Sequence, residues 1–291
     1  MLIALYLALG SAISGAIANL LARRIVREVR ARDMVAVNFL LMTLMLLPGL
    51  PWFWHVDWSN GLILRIAIAV LIDSAGNILY FYTFEHLEPV VASAMLSISP
   101  LLGLFVAPFF TGAVGAIGFG QVLGVFLITG GLYTLALQPL RTALSNGGEW
   151  SVKQWLIYIG TPILAALLFT ISIFIMRADL ASGAVNSYSY YLIRAPFIAL
   201  LTAFITRPNL TWVAPRSILI TSERMVFVLA QWLLLLTAIQ MGNAVVVKAI
   251  ADSTPFFVVL ISWLLLRQKL PRTQWAGALL VVAGISSISL F

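Results

Sequence analysis

Residues 97–105 read SISPLLGLF, and residues 252–260 read DSTPFFVVL. Pro100 and Pro255 stand at matching places in two long apolar runs, and the shift of 155 residues between them carries the run 62–84 onto 217–239 without a gap. Further along, 121–131 reads QVLGVFLITGG and 274–284 reads QWAGALLVVAG, so Gln121, Gly124 and Gly131 match Gln274, Gly277 and Gly284. Apolar segments align with one another easily, but proline, glutamine and glycine held in one register argue for a duplicated chain.

The composition says where such a chain lives. Of 291 residues 62% are hydrophobic and 9% charged, with a mean hydropathy of +1.05. Soluble domains carry roughly 25% charged residues, which excludes a soluble enzyme, a nucleic-acid binder and a disordered chain. Runs bounded by charge, proline and glycine give ten candidate spans: 2–22, 34–50, 62–84, 90–111, 117–137, 154–176, 185–206, 217–239, 244–266 and 273–291. The expected fold is therefore an all-α integral membrane protein of ten transmembrane helices. Residues 1–137 and 154–291 form the two five-helix repeats, and 138–153 a cytoplasmic linker.

The net charge of +7 does not point to nucleic acid, because the 17 basic residues are scattered at span ends. Connections after odd-numbered spans hold twelve of them, and the even connections and termini only Arg177. By the positive-inside rule the odd connections are cytoplasmic and both termini extracytoplasmic. The expected location is the inner membrane of a bacterium, with lipids as surroundings. Zero cysteines and two separated histidines, His55 and His86, leave no thiolate, zinc or His-triad chemistry, so no enzyme activity and no cofactor are expected.

Five spans per half is an odd number, so similar halves must cross in opposite directions, as in many secondary transporters. In these prolines, the Q-x-x-G openings of spans 5 and 10, the short 4–5 and 9–10 hairpins and the span count, the chain resembles the EamA-like branch of the drug/metabolite transporter superfamily. That resemblance implies a carrier or exporter of small metabolites. The family's frequent Gly-Glu before the last helix of a repeat is absent: Arg267 and Gln268 stand in the second half, and AVGAIGFG in the first. Glycines 112, 115, 118, 120 and 124 are no phosphate loop, for no GKS/T follows them; they read as a tight hairpin and close packing.

Ionisable groups within spans cost roughly 2.5–3.5 kcal/mol each at mid-membrane and are functional candidates. Lys248 and Asp252 are four residues apart on one helical face, one turn before Pro255; they read either as a substrate-facing pair or as a self-neutralised pair that packs. The equivalent positions in span 4 are Ser93 and Ser97. Arg194, with Tyr190 and Asn186 at steps of four and Tyr191 beside it, reads either as a substrate ligand or as the structural partner of Asp73 or Asp252. Asp73, Asn77, Tyr80 and Phe84 form a stripe that faces the bundle. Asp73 is also the expected proton carrier if transport is proton-coupled, because Asp252 has an ammonium close by. Glu223 and Arg224 read as a hydrated pair or gate, Trp232 as part of the enclosure, and Asn19 and Asn38 as interhelical hydrogen bonds.

The expectation is a secondary-active transporter of small polar metabolites, amino acids or related zwitterions first, working by alternating access as a monomer or homodimer. Spans 3, 4, 7, 8 and 9 would line its cavity. The substrate-binding set is Asp73, Asn77, Tyr80, Ser97, Tyr190, Tyr191, Arg194, Trp232, Lys248 and Asp252. A carrier or flippase of phosphate-bearing or lipid-linked substrates is the alternative.

Overall fold

The computed structural model describes residues 2–25, 31–87, 92, 95–110, 118–145, 156–209, 215–266 and 271–290. Ser93, Gly112, Gly115, Arg267, Gln268 and residues 146–153 of the linker lie outside this set. Among the described residues every regular element is helical, apart from an isolated antiparallel bridge between Val56 and Val185. The long helices are α1 (Leu2–Ile25), α2 (Ala31–Leu46), α3 (Asn60–His86), α5 (Phe119–Ser145), α6 (Thr161–Ala181), α7 (Ser187–Thr206), α8 (Pro215–Met241) and α11 (Arg272–Leu290), with shorter α4 (Ser99–Val106), α9 (Ala244–Ala251) and α10 (Thr254–Leu266). Among the described residues eight segments are long and apolar enough to cross a membrane, one of them, Ala244–Ile261, running through α9 into α10, and two shorter apolar helices, Ser99–Phe109 and Phe119–Leu135, accompany them.

The helix ends follow from local chemistry. Ser59 Oγ accepts the Leu62 N–H at 3.2 Å to start α3, Asn186 Oδ1 the Ser189 N–H at 2.8 Å to start α7, and Asn243 Oδ1 the Val245 N–H at 3.0 Å to start α9. Span 6 was expected to end at 176, but α6 runs to Ala181. The charges at its end are accommodated: Asp179 pairs with Arg65, and Arg177 donates to the backbone oxygens of Ile239 and Gly242.

The repeat is visible as geometry. Under the shift of 155 residues, α3 superposes in sequence on α8 end for end. The turn at 97–98 before α4 likewise falls on the turn at 252–253 between α9 and α10. Each proline follows its break by two or three residues, where the missing N–H frees a carbonyl. The oxygen freed by Pro255, that of Ala251, accepts from Thr254 Oγ1 at 2.9 Å, and beside the breaks Ser97 Oγ donates to the Asp252 backbone oxygen at 3.2 Å and Thr170 Oγ1 to that of Ser99 at 3.2 Å. Irregular backbone inside a membrane bundle requires such partners.

The halves are interleaved rather than side by side, with α1 packed on α8, α3 on α6, α2 on α7 and α5 on α11. In the last pair a Cβ added to Gly131 would lie 2.7 Å from the Gly277 backbone oxygen, and one added to Gly124 2.7 Å from that of Gly284. The repeat relates Gly124 to Gly277 and Gly131 to Gly284, so the contacts are crossed, as antiparallel helices about a two-fold axis require. Glycine is needed here because a side chain would force the backbones apart.

Candidate functional site

A cavity of about 150 Å³ lies where the two breaks meet. Its wall is drawn from α1, α2, α3, the α4 break, α6, α8 and the α9–α10 break. Asn19, Phe84 and Arg224 of the wall lie toward the ends where α1 and α3 finish and α8 begins. That face is held together in part by Asn209, whose N–H donates to Asp33 Oδ1 at 3.0 Å. The opposite face is cross-linked by hydrogen bonds. Asp57 N–H donates to the Ala184 oxygen at 2.7 Å, His55 N–H to Ser189 Oγ at 2.8 Å, and the Tyr188 hydroxyl to the Leu46 oxygen. Arg65 Nε meets Asp179 Oδ1 at 2.5 Å just inside it. The cavity is thus closed on one side by polar links that are reversible, rather than by apolar packing alone.

At the centre, Lys248 Nζ pairs with Asp252 Oδ1 on the same helical face, and the Ser99 hydroxyl donates to the other carboxylate oxygen. The pair is partly hydrated, with side chains 14% and 18% exposed. Asn77, Tyr80, Ser97 and Trp232 complete the sequence-derived residues on the wall. Asn77 Nδ2 donates to the Asp73 backbone oxygen at 2.8 Å, which turns its oxygen outward.

Asp73, Tyr190, Tyr191 and Arg194 are not on that wall. Arg194 Nε stands 3.2 Å from Asp73 Oδ2 with both side chains fully buried, so of the readings for Arg194 the structure adopts the partnership with Asp73. Its guanidinium carbon also lies 5.0 Å from the centre of the Tyr191 ring and 4.9 Å from that of Trp232, a cation–π contact with each of two rings that are themselves 6.0 Å apart. The Tyr191 hydroxyl points to Met42 Sδ at 3.0 Å. Asn186, expected on the same polar face, is spent on capping α7. One expectation is therefore corrected: no described residue of α7 lines the cavity, because Arg194 faces Asp73 one layer behind, while α1, α2 and α6 take its place. Asp73, like Asp252, faces a cation, but it is the more deeply buried of the two.

Three wall residues carry more than the sequence reading gave them. Arg224 is buried against the cavity and donates from Nη1 to Asn38 Oδ1 at 2.9 Å, while Glu223 is exposed, so the two do not act as a hydrated pair. Asn38 thus bonds across helices, as expected, but at the cavity wall. Ser99 has no spacing signal beyond its place beside Pro100. Among the described residues no cluster of His, Asp or Glu is fit to hold a metal ion.

No curated protein matches the chain. Among solved structures, one described only as "Crystal structure of protein" shares the fold at 13% identity, with a TM-score of 0.75 over 99% of this chain and 96% of the other. The model of the EamA-like transporter family matches residues 2–137 and again 153–290, once per repeat. With this double match across nearly the whole length, the crossed glycine contacts and the paired helix breaks, the chain belongs to the EamA-like transporter family of multi-pass membrane proteins.

Proposed function

We propose that the protein is a secondary-active carrier of small polar metabolites, amino acids or related zwitterions first among them, working by alternating access. It would have ten spans in the inner membrane of a bacterium, with both termini outside. The observation that carries this reading is the meeting of two repeat-related helix breaks on the wall of an interior cavity whose lining reaches toward one face, while polar links latch the other. Exchange of roles between the repeats would open the latched face and close the first. The latch consists of Arg177 on the end of α8, the Arg65–Asp179 pair and the 55–57 to 184–189 contacts, each breakable at modest cost. Asn77, Tyr80, Ser97, Trp232, Lys248 and Asp252 would touch the cargo. Asp73, Tyr190, Tyr191 and Arg194 would act from behind by fixing Trp232.

The cavity volume of about 150 Å³ lies below the ~300–1,000 Å³ of drug-sized pockets, which favours a small cargo. The alternative, a phosphate-bearing or lipid-linked substrate, is supported by Arg224, a wall cation with no acid beside it.

Uptake into liposomes by purified protein tests the reading, with a panel of amino acids, amines, phosphorylated metabolites and labelled phospholipid, each with and without a pH gradient. Saturable uptake of an amino acid is expected, and its dependence on the gradient decides proton coupling. Movement of labelled lipid with no soluble compound would overturn the zwitterion reading.

A further inference from the structure

We propose that Arg224 is the anchor for an oxyanion, carboxylate or phosphoryl, on the transported molecule, and that negative charge on the cargo, rather than an ammonium group, is what the cavity selects. This rests on the carrier reading and names the substrate class for it.

Arg224 is 5% exposed, and among the described residues its one hydrogen bond is from Nη1 to the neutral amide oxygen of Asn38, at 2.9 Å. Nε is buried with no partner. Among the described residues no carboxylate pairs with it, and Glu223 beside it is turned outward. An isolated buried guanidinium is costly unless something neutralises it. Asn38 orients the group without supplying charge. Among the described residues, Arg194 is paired with Asp73 and Lys248 with Asp252, and Arg177 donates to the backbone oxygens of Ile239 and Gly242.

The wall charges of the cavity are thus Arg224, Lys248 and Asp252, an excess of one positive charge. A cargo ammonium would have to share the one wall carboxylate, Asp252, which already meets Lys248 at one oxygen and Ser99 at the other. A cargo oxyanion finds on the cavity wall a guanidinium that no carboxylate among the described residues neutralises, a group whose planar donors match carboxylate and phosphate. Trp232 and Tyr80 flank the remaining space with aromatic surface for the uncharged part.

The test uses the full-length protein in nanodiscs of phosphatidylcholine and four probes. Three carry the same 3-methylbutyl chain: 4-methylpentanoate is the anion, leucine the zwitterion and 3-methylbutylamine the cation. Methyl phosphate is the second oxyanion, and its Kd against that of 4-methylpentanoate tells carboxylate from phosphoryl cargo. The expected result is that an oxyanion binds more tightly than the amine and loses tenfold or more in Arg224→Gln. In Arg224→Lys, which keeps the charge and the fold but lacks the fork, the loss is severalfold. Asn38→Leu acts through Arg224 as a positioning residue, so oxyanion Kd rises in it while that of the amine does not.

Preference for the amine, absence of oxyanion binding, or an oxyanion Kd the same in wild type and Arg224→Lys overturns the assignment. The two readings fail separately. Oxyanion binding that needs Arg224 without any uptake into liposomes leaves the anchor and removes the carrier, whereas uptake of the amine indifferent to position 224 removes the anchor and leaves the carrier.

Discussion

Arg194→Met will lose about 3–5 kcal/mol of stability, and Asp73→Asn combined with it will recover most of that loss. The prediction follows from the asymmetry of buried ion pairs: removing one partner strands a charge, while removing both strands none. Asp73 and Arg194 are fully buried at 3.2 Å on α3 and α7, with no route to bulk water. Arg194 also packs against Tyr191 and Trp232, so methionine, of similar length and apolar, is the fair replacement. The measurement is the thermal midpoint of each purified variant, read as loss of the monodisperse peak after heating. A single variant as stable as the double one would mean that the pair contributes nothing to the fold.

Lys248→Ala will behave in the opposite way, with transport falling about 10–100-fold and stability changing little. The Lys248–Asp252 pair is partly hydrated, so screening reduces its worth to the fold. Hydrogen bonds to charged groups are worth about 1.5–3 kcal/mol, and each ~1.4 kcal/mol is tenfold in affinity. The group sits on the helix break, where cargo and backbone would exchange contacts during the cycle. Initial uptake rates and thermal midpoints measured on one preparation separate the two effects. A Lys248→Ala protein that transports normally would place the cargo elsewhere.

Much of this architecture can be read in the residues, and the reason is the repeat. Pro100 and Pro255 give the shift that brings α3 onto α8, and the same shift locates both helix breaks. Gly124, Gly131, Gly277 and Gly284 lie in one register, and their crossed contacts express the inverted symmetry. The ends of helices were less legible. Hydropathy falls at Arg177, although α6 continues because Arg177 finds two carbonyls and Asp179 finds Arg65.

In the site, spacing correctly put Lys248 and Asp252 on one face, since a partner four residues away is local information. It could not choose between cavity and neighbouring helix for the polar face of α7, because both are interior. The partner that decides the matter, Asp73, is on a distant part of the chain. Arg224 was underestimated for the same reason. Glu223 is adjacent in sequence, but consecutive residues on a helix point about 100° apart, and the residue that orients Arg224 is Asn38 on α2.

The most direct test of the account is whether the cavity at the two breaks is the path of transport. The chain contains no cysteine, so Leu96→Cys, an apolar wall position at the first break, provides a single reporter. The account predicts that a membrane-impermeant maleimide labels this thiol from the face of the Arg-rich connections, that cargo in the medium slows the labelling, and that labelled protein no longer takes up substrate in liposomes. Complete labelling with undiminished uptake would contradict it.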